Sequence, residues 1–526
     1  MKRLSLAILT MVLAAAPVLA QTPRGSLASL IEAGNRKAAL ERIRAGANVN
    51  EPQPDGTRPI HWAVHRVDYE LLAALIAKKA NLNVRNEFGS TPIAIAAGLG
   101  DARMVKMLLD AGAEVEGANP DGQTALMLAI KTGETAVVEM LIKAGANVNT
   151  VETFHKQTPL MWAATAPRNA GVIVKLLLAK GADVKPRALF TDWPSQITSE
   201  PRAQYRPTGG LTAFLYAARN GCYDCIEPLL AAGADINQPT PDGVTPLMLA
   251  LDNDHNGVAK LLLDRGANPK VWDWWGRTAL YIAIDRKSPT PQSGSNNESI
   301  PGATRSASEA ASSMEIINTL LAAGVDIDAA LQQHRPSRGG SSGRFIQPLL
   351  GTGCTPLMRA VIGAWAPNAE NKDKLGDTEV VRALLAKGAN PHLAAMGITP
   401  FLYAAGAGPG SSPAVGGTGL ALEYSFGWPV NMELMELLLQ NGANVNDQIT
   451  GTQTYTLRIS RAPSLNEGRT ALHIAAQQGK ADLVRYLLSK GADPEIRDAG
   501  GKKALDLVPP AMTTEIRGLL QSSSPK

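Results

Sequence analysis

Several kinds of chemistry are missing from this 526-residue chain. It has no GxSxG, P-loop or HExxH motif and no paired-carboxylate constellation, and its seven histidines are scattered. No catalytic residue is therefore assigned, and the chain is read as a non-enzyme that needs no metal and no cofactor. Charge of one sign is also scarce. The formal net charge of +4 falls to +2 if Lys2 and Arg3 are removed, too little to argue for nucleic acid or an anionic membrane as partner. Charged residues make up 19% of the chain, somewhat below the globular average. None of the three cysteines follows closely on the first twenty residues, so a lipid-anchored form is not indicated. Beyond those residues no apolar run is long enough to span a bilayer.

The first twenty residues differ in kind. MKRLSLAILTMVLAAAPVLA carries two basic residues, an apolar run from Leu4 to Ala16, and small residues at Val18 and Ala20 before Gln21. That is the pattern of a bacterial secretory leader, cut near Ala20/Gln21, which predicts a periplasmic or secreted protein.

What fills the rest is repetition. In DGVTPLMLALDNDHNGVAKLLLDRGANP, Asp242 to Pro269, Thr245 is a helix cap and Pro246 a first helical residue whose missing N–H costs nothing. Leu247, Ala250 and Leu251 form one apolar face and Val258, Leu261 and Leu262 a second, separated by a polar break. Gly266 ends the second helix, where the backbone must turn left-handed. The cap recurs at Thr91, Thr124, Thr158, Thr212, Thr278, Thr355, Thr399 and Thr470, and several intervals are 33 residues. The terminator recurs at Gly46, Gly112, Gly145, Gly181, Gly233, Gly324, Gly388, Gly442 and Gly491, with Lys79 standing in once. A left-handed lysine there is expected to cost about 1 kcal/mol. One unit cannot bury both of its faces alone, so the units are expected to stack into an elongated body in which each touches its neighbours.

A 33-residue period with T-P-L…A and LL-x-x-G-A punctuation resembles the ankyrin repeat, over nearly all of the chain after residue 25. The resemblance implies an all-α solenoid of helix pairs joined by short β-hairpin fingers, about eleven repeats plus a C-terminal half-repeat over residues 25–521. It also implies a protein partner. Residues 26–51 read as an N-terminal cap. The histidine that follows T-P-L in ankyrins and bridges repeats is kept only at His61 and His473, so apolar packing is expected to replace that polar network. Insertions fall near 186–210, 329–354 and 448–468 between units. Others fall near 286–312, 366–377 and 406–430 between the helices of a unit, the last carrying Tyr424, Phe426 and Trp428. The three within units are consecutive and are expected to decorate one rim.

Two features remain. Cys222 and Cys225 form a C-x-x-C at the start of a second helix, open to a structural disulfide, free core thiols, or redox or metal chemistry. VWDWWGRT places Trp272, Trp274 and Trp275 in one finger, and Phe88 and Phe154 take similar places in earlier fingers. Trp is the residue most enriched at binding hot spots, so these five are the candidate partner-binding residues, Trp274 and Trp275 foremost. Trp62, Trp162, Tyr216 and Tyr403 sit inside first helices and are read as core. The chain is thus expected to be a monomeric extracytoplasmic scaffold that binds a protein through its concave face, fingers and inserted loops. The alternatives are a thiol-redox protein using Cys222 and Cys225, and an exported effector that binds a protein of another cell.

Overall fold

The structure, a computed structural model, describes residues 25–191, 208–287, 311–332, 353–363, 376–395, 397–409, 424–425, 430–450, 467–510 and 513–523. The leader, most of each insertion, Phe426 and Trp428 lie outside these residues. Within them the chain is built from pairs of short α-helices. First helices such as Pro92–Leu99 and Pro246–Asp252 open at the threonines. All nine threonine hydroxyls accept the backbone N–H three residues on, at 3.1 to 3.5 Å. Second helices such as Ala102–Asp110 and Asn256–Asp264 end at the glycines, every one of which has positive φ. A Cβ on Gly46, Gly112, Gly145 or Gly266 would meet nothing within 4 Å. Glycine is therefore required there by backbone conformation and not by space. Lys79 takes the same left-handed turn at φ 57°.

Contacts divide the chain into two compact bodies, Met1–Ala129 with Ala136–Asn147, and Ile130–Thr135 with Val148–Lys526. In the first, Ile60 and Val64 bury against the next unit's first helix, which carries Ile93 and Ala97, and Leu72, Leu75, Met104 and Val105 are buried on second helices. The second repeats the arrangement, with Leu215, Ile226 and Leu229 facing Leu247, Met248 and Leu262.

Polar rungs also cross from unit to unit. Four residues after the terminator, Asn50 and Asn83 accept the N–H of Asn81 and Glu114 in the next unit, at 2.8 and 2.9 Å. In the second body Asn149, Asn237, Asp328 and Asn446 do the same for Asp183, Asn268, Asn390 and Asp493. Lys185 and Lys270 occupy this place in two units, and an ammonium cannot accept. The rungs are carried by the Asn or Asp four residues after the terminator, whose side-chain oxygen reaches the next unit's free N–H. These rungs are distinct from the histidine bridges, and at the histidine places of other units Met127, Met161, Leu215, Met248, Met358 and Leu402 are buried, so apolar packing stands there as expected. His61 and His473 bridge as the resemblance implies. Each takes a cap N–H at Nδ1 (Arg58 at 3.0 Å, Thr470 at 3.2 Å) and turns Nε2 to a carbonyl, of Ser90 at 3.1 Å and Lys502 at 3.0 Å. Burial holds both imidazoles below their ordinary pKa.

The expected β-hairpin fingers are not formed as ladders. Most fingers are single turns closed by two backbone bonds, as in Asn119 N–H to Gln123 O and Gly122 N–H to Asn119 O. Isolated bridges join Trp272 with Thr278, Ala395 with Ile398, and Arg497 with Lys503. The turn is too tight for a longer register. Two short antiparallel pairs, Phe190–Thr191 with Thr208–Gly209 and Gly408–Pro409 with Tyr424–Ser425, stand at the bases of insertions.

Lys79→Gly should raise the stability of its region by about 1 kcal/mol, since glycine removes the left-handed strain, while Gly266→Ala should lower it by a similar amount. Urea unfolding of the two variants against the parent chain checks the opposite signs, and a destabilised Lys79→Gly would refute the account.

Candidate interaction surface

Most of the short fingers are folded around one polar side chain. In the finger after Lys270, Asp273 Oδ1 accepts the N–H of Trp275 at 3.0 Å and of Arg277 at 2.9 Å, and Oδ2 takes Arg277 Nε at 2.7 Å. Arg277 also reaches both oxygens of Asp252 at 3.3 Å. Burial opposes its charge, but Asp252 and Asp273 hold its pKa above the ordinary range. Asn86, Asn119, Glu152 and Asp498 organise other fingers in the same way. A finger so pinned presents the residues beside the organiser in fixed directions.

The three tryptophans consequently part company. Trp272 and Trp274 are 62% and 46% exposed, whereas Trp275 is only 5% exposed. Trp275 is therefore corrected from a presented residue to a packed one. The Arg277 guanidinium lies over its ring at 5.1 Å, and the next finger closes on it, with Gln332 N–H bound to the Trp275 carbonyl at 2.9 Å. Phe88 occupies the equivalent place in its own finger and stays exposed, in the first body. Phe154, in the second body, is 70% exposed and sets its ring edge to face with His155.

The second body adds two residues that the sequence reading missed. Leu189 and Phe190 are both exposed, at the start of the 186–210 insertion, where they passed for loop. The available signal was an apolar pair at a position where other fingers carry polar turn residues. These fingers are neighbours. Leu189 N–H donates to His155 O at 2.6 Å, Arg187 donates to Pro239 O at 3.0 Å, and Trp274 N–H donates to Asp242 O at 2.9 Å. Phe154, Leu189, Phe190, Trp272 and Trp274 thus stand on a run of linked fingers as a row of exposed apolar side chains.

Of the residues read as core, Tyr216 and Tyr403 are buried, while Trp62 and Trp162 are only half-buried. Cys222 and Cys225 are joined, Cys225 in the core and Cys222 half-buried ahead of helix Tyr223–Ala231. Cys354 is buried beneath Tyr281 Oη at 3.7 Å, and burial pushes its thiol up to about 12. Nearby, the fully buried Arg359 binds Asp285 Oδ1 at 2.6 Å and the Gly363 carbonyl at 3.0 Å. Among the described residues no cluster of three or more His, Cys, Asp or Glu could hold a metal ion, and no helix is long and apolar enough to cross a membrane.

Trp275→Ala should cost about 3 kcal/mol or more in urea unfolding, as for other buried tryptophans. Trp272→Ala and Trp274→Ala should each cost about 0.5 kcal/mol or less and should reduce iodide quenching of the chain's fluorescence. Equal losses at all three positions would contradict the burial assignment. With one disulfide and one buried thiol, an aromatic disulfide reagent should find no thiol in the native chain, one after denaturation, and three after denaturation with reduction.

Comparison with known proteins bears on what this architecture is. The model "Ankyrin repeats (3 copies)" matches residues 27–119, 115–188 and 204–290, and "Ankyrin repeat" matches 352–395 and 467–499. Protein HOS4 of Saccharomyces cerevisiae is 41% identical over 83 residues, 15% of this chain and 8% of that protein. Human Ankyrin repeat and SOCS box protein 11 is 31% identical over 109 residues, 18% of this chain and 34% of that protein. Inversin of Gallus gallus is 38% identical over 80 residues, 15% of this chain and 7% of that protein. The chain therefore spans well under two thirds of each of these relatives. The crystal structure of the human ASB11 ankyrin repeat domain aligns at 25% identity with a TM-score of 0.37, covering 47% of this chain and all of that one. The family models fall on the helix pairs that the threonine and glycine series mark out, on both sides of the inserted loops, and the chain belongs to the ankyrin-repeat family.

Proposed function

We propose that this chain is an extracytoplasmic scaffold that holds a protein partner against the finger side of its second body. Ankyrin repeats are typical of protein-interaction scaffolds. The observation that carries the reading is the row Phe154, Leu189, Phe190, Trp272 and Trp274 on linked fingers. Large rings kept in water are costly unless a partner covers them, and tryptophans covered at an interface are worth about 2 kcal/mol or more each. The rigid turns beneath them reduce the ordering cost of binding. First helices and inserted loops would extend the contact, and the leader at residues 1–20 supports export.

The joint variant Trp272→Ala, Trp274→Ala should weaken capture of the partner by about thirtyfold or more at unchanged thermal stability. The chain expressed whole in a bacterium should be recovered outside the cytoplasm with Gln21 as its first residue. Undiminished capture by the double variant would remove the fingers from the interface, and a cytoplasmic chain beginning at Met1 would remove the export.

A further inference from the structure

A second surface in the same body lies on first helices and not on the fingers. Helices Pro159–Ala163, Ala213–Asn220 and Pro246–Asp252 pack side by side. Four residues after their caps they carry Trp162, Tyr216 and Leu249, in register. One turn beyond Tyr216, Arg219 lays its guanidinium over the Tyr216 ring at 4.8 Å.

The polar groups here are unusual in kind, because the ones left over are all donors. Trp162 Nε1 is out of contact with water and has no acceptor, whereas Trp62, at the same place in its own unit, gives its N–H to Gln53 Oε1 at 2.7 Å. The Tyr216 hydroxyl oxygen accepts from Gln157 Nε2 at 2.7 Å, which leaves its own O–H to give. Arg219 is half-buried, and its Nε makes one long contact with Asn220 Oδ1 at 3.4 Å. Among the described residues no carboxylate comes within ion-pair distance of it. Asp252, at the register of Arg219 one unit on, instead faces Arg277. Asp285, one unit further, faces Arg359. Burial works against the Arg219 charge and lowers its pKa, offset only in part by Tyr216, with no carboxylate there to restore it.

A partly desolvated cation beside donors that lack acceptors calls for an anion, and a planar guanidinium matches a carboxylate in two-point geometry. The stacked ring beneath holds the fork in place. A lone small carboxylate would leave the half-buried apolar faces of Trp162 and Leu249 uncovered. We infer that the first-helix face around Trp162, Tyr216 and Arg219 binds an acidic peptide segment of a partner. One Glu or Asp side chain seats on Arg219 and the Tyr216 hydroxyl, and the peptide backbone lies along the neighbouring helices. A turn of the half-exposed Trp162 ring brings its N–H to the same segment.

The test is calorimetric titration of the full chain with capped hexaglutamate, with capped hexaglutamine as the neutral control. Hexaglutamate should bind at least tenfold more tightly than hexaglutamine, and the difference should shrink with added salt. Arg219→Met should abolish it. Arg219→Lys, which keeps the charge without the fork, should keep only part of it and reports that the face still folds. Lys270→Met removes the same charge from an exposed finger and should change nothing. Trp272→Ala with Trp274→Ala should also leave hexaglutamate binding intact, so failure of the finger reading and failure of this one are separable. Equal binding of the two peptides would overturn the proposal. So would equal losses in Arg219→Met and Lys270→Met, which would mean general attraction to a basic chain.

Discussion

A pair of helices five to ten residues long cannot stand alone in water. Each has an apolar face that its partner only half covers, so every unit depends on the next for burial. That dependence sets the rest. It explains why Ile60 and Val64 are buried beside the first helix of the following unit, and why free N–H groups after several terminators are taken by a side chain of the unit before. The rungs at Asn50, Asn83, Asn149 and Asn237 add direction to a burial term that has none. Apolar faces tolerate small slips, whereas an amide oxygen aimed at one N–H does not.

Nearest-neighbour stability also accounts for where the chain accepts change. An insertion between units, or between the helices of one unit, leaves the helix faces free to meet, and its entropic cost rises slowly with length. The Asp328–Asn390 rung survives two insertions lying between its partners. The same freedom lets fingers acquire residues that the stack does not need. Trp272 and Trp274 flank an aspartate that holds the turn by itself, so their rings contribute little to it. Trp275 is one residue further along and is drawn inward by Arg277 and the following finger.

Buried charge follows a different logic. Where the apolar pattern of the first helices breaks at Asp252, Asp285 and Arg359, each charge has an opposite partner, Arg277 for the first and one another for the others. A buried ion left alone would destabilise the stack by several kcal/mol. Arg219 differs because it sits at the edge of burial, where water still reaches it and the penalty is smaller. Such a position can be left for a ligand.

Much of this was legible in the chain itself. Thr91 and its eight counterparts had to be caps, and Gly46 and its counterparts had to be left-handed, because cap and terminator depend on local backbone geometry that neighbouring residues decide. The helical periodicity likewise fixed which leucines face inward. Contacts between units were less legible. That Asn50 reaches Asn81 depends on how two units meet, and nothing near Asn50 in the chain announces it. The division of Trp272 and Trp274 from Trp275 needed the following finger, 57 residues on at Gln332, to close over one ring and not the others. Leu189 and Phe190 looked like loop until neighbouring fingers placed them beside Phe154. The donors of Trp162, Tyr216 and Arg219 lie on two helices far apart in sequence, so only their packing shows that the indole N–H has no acceptor and the guanidinium no carboxylate. Sequence determined what each segment is, since that is set over a few residues. Tertiary structure decided what each segment leaves exposed, because exposure belongs to the neighbours as much as to the residue.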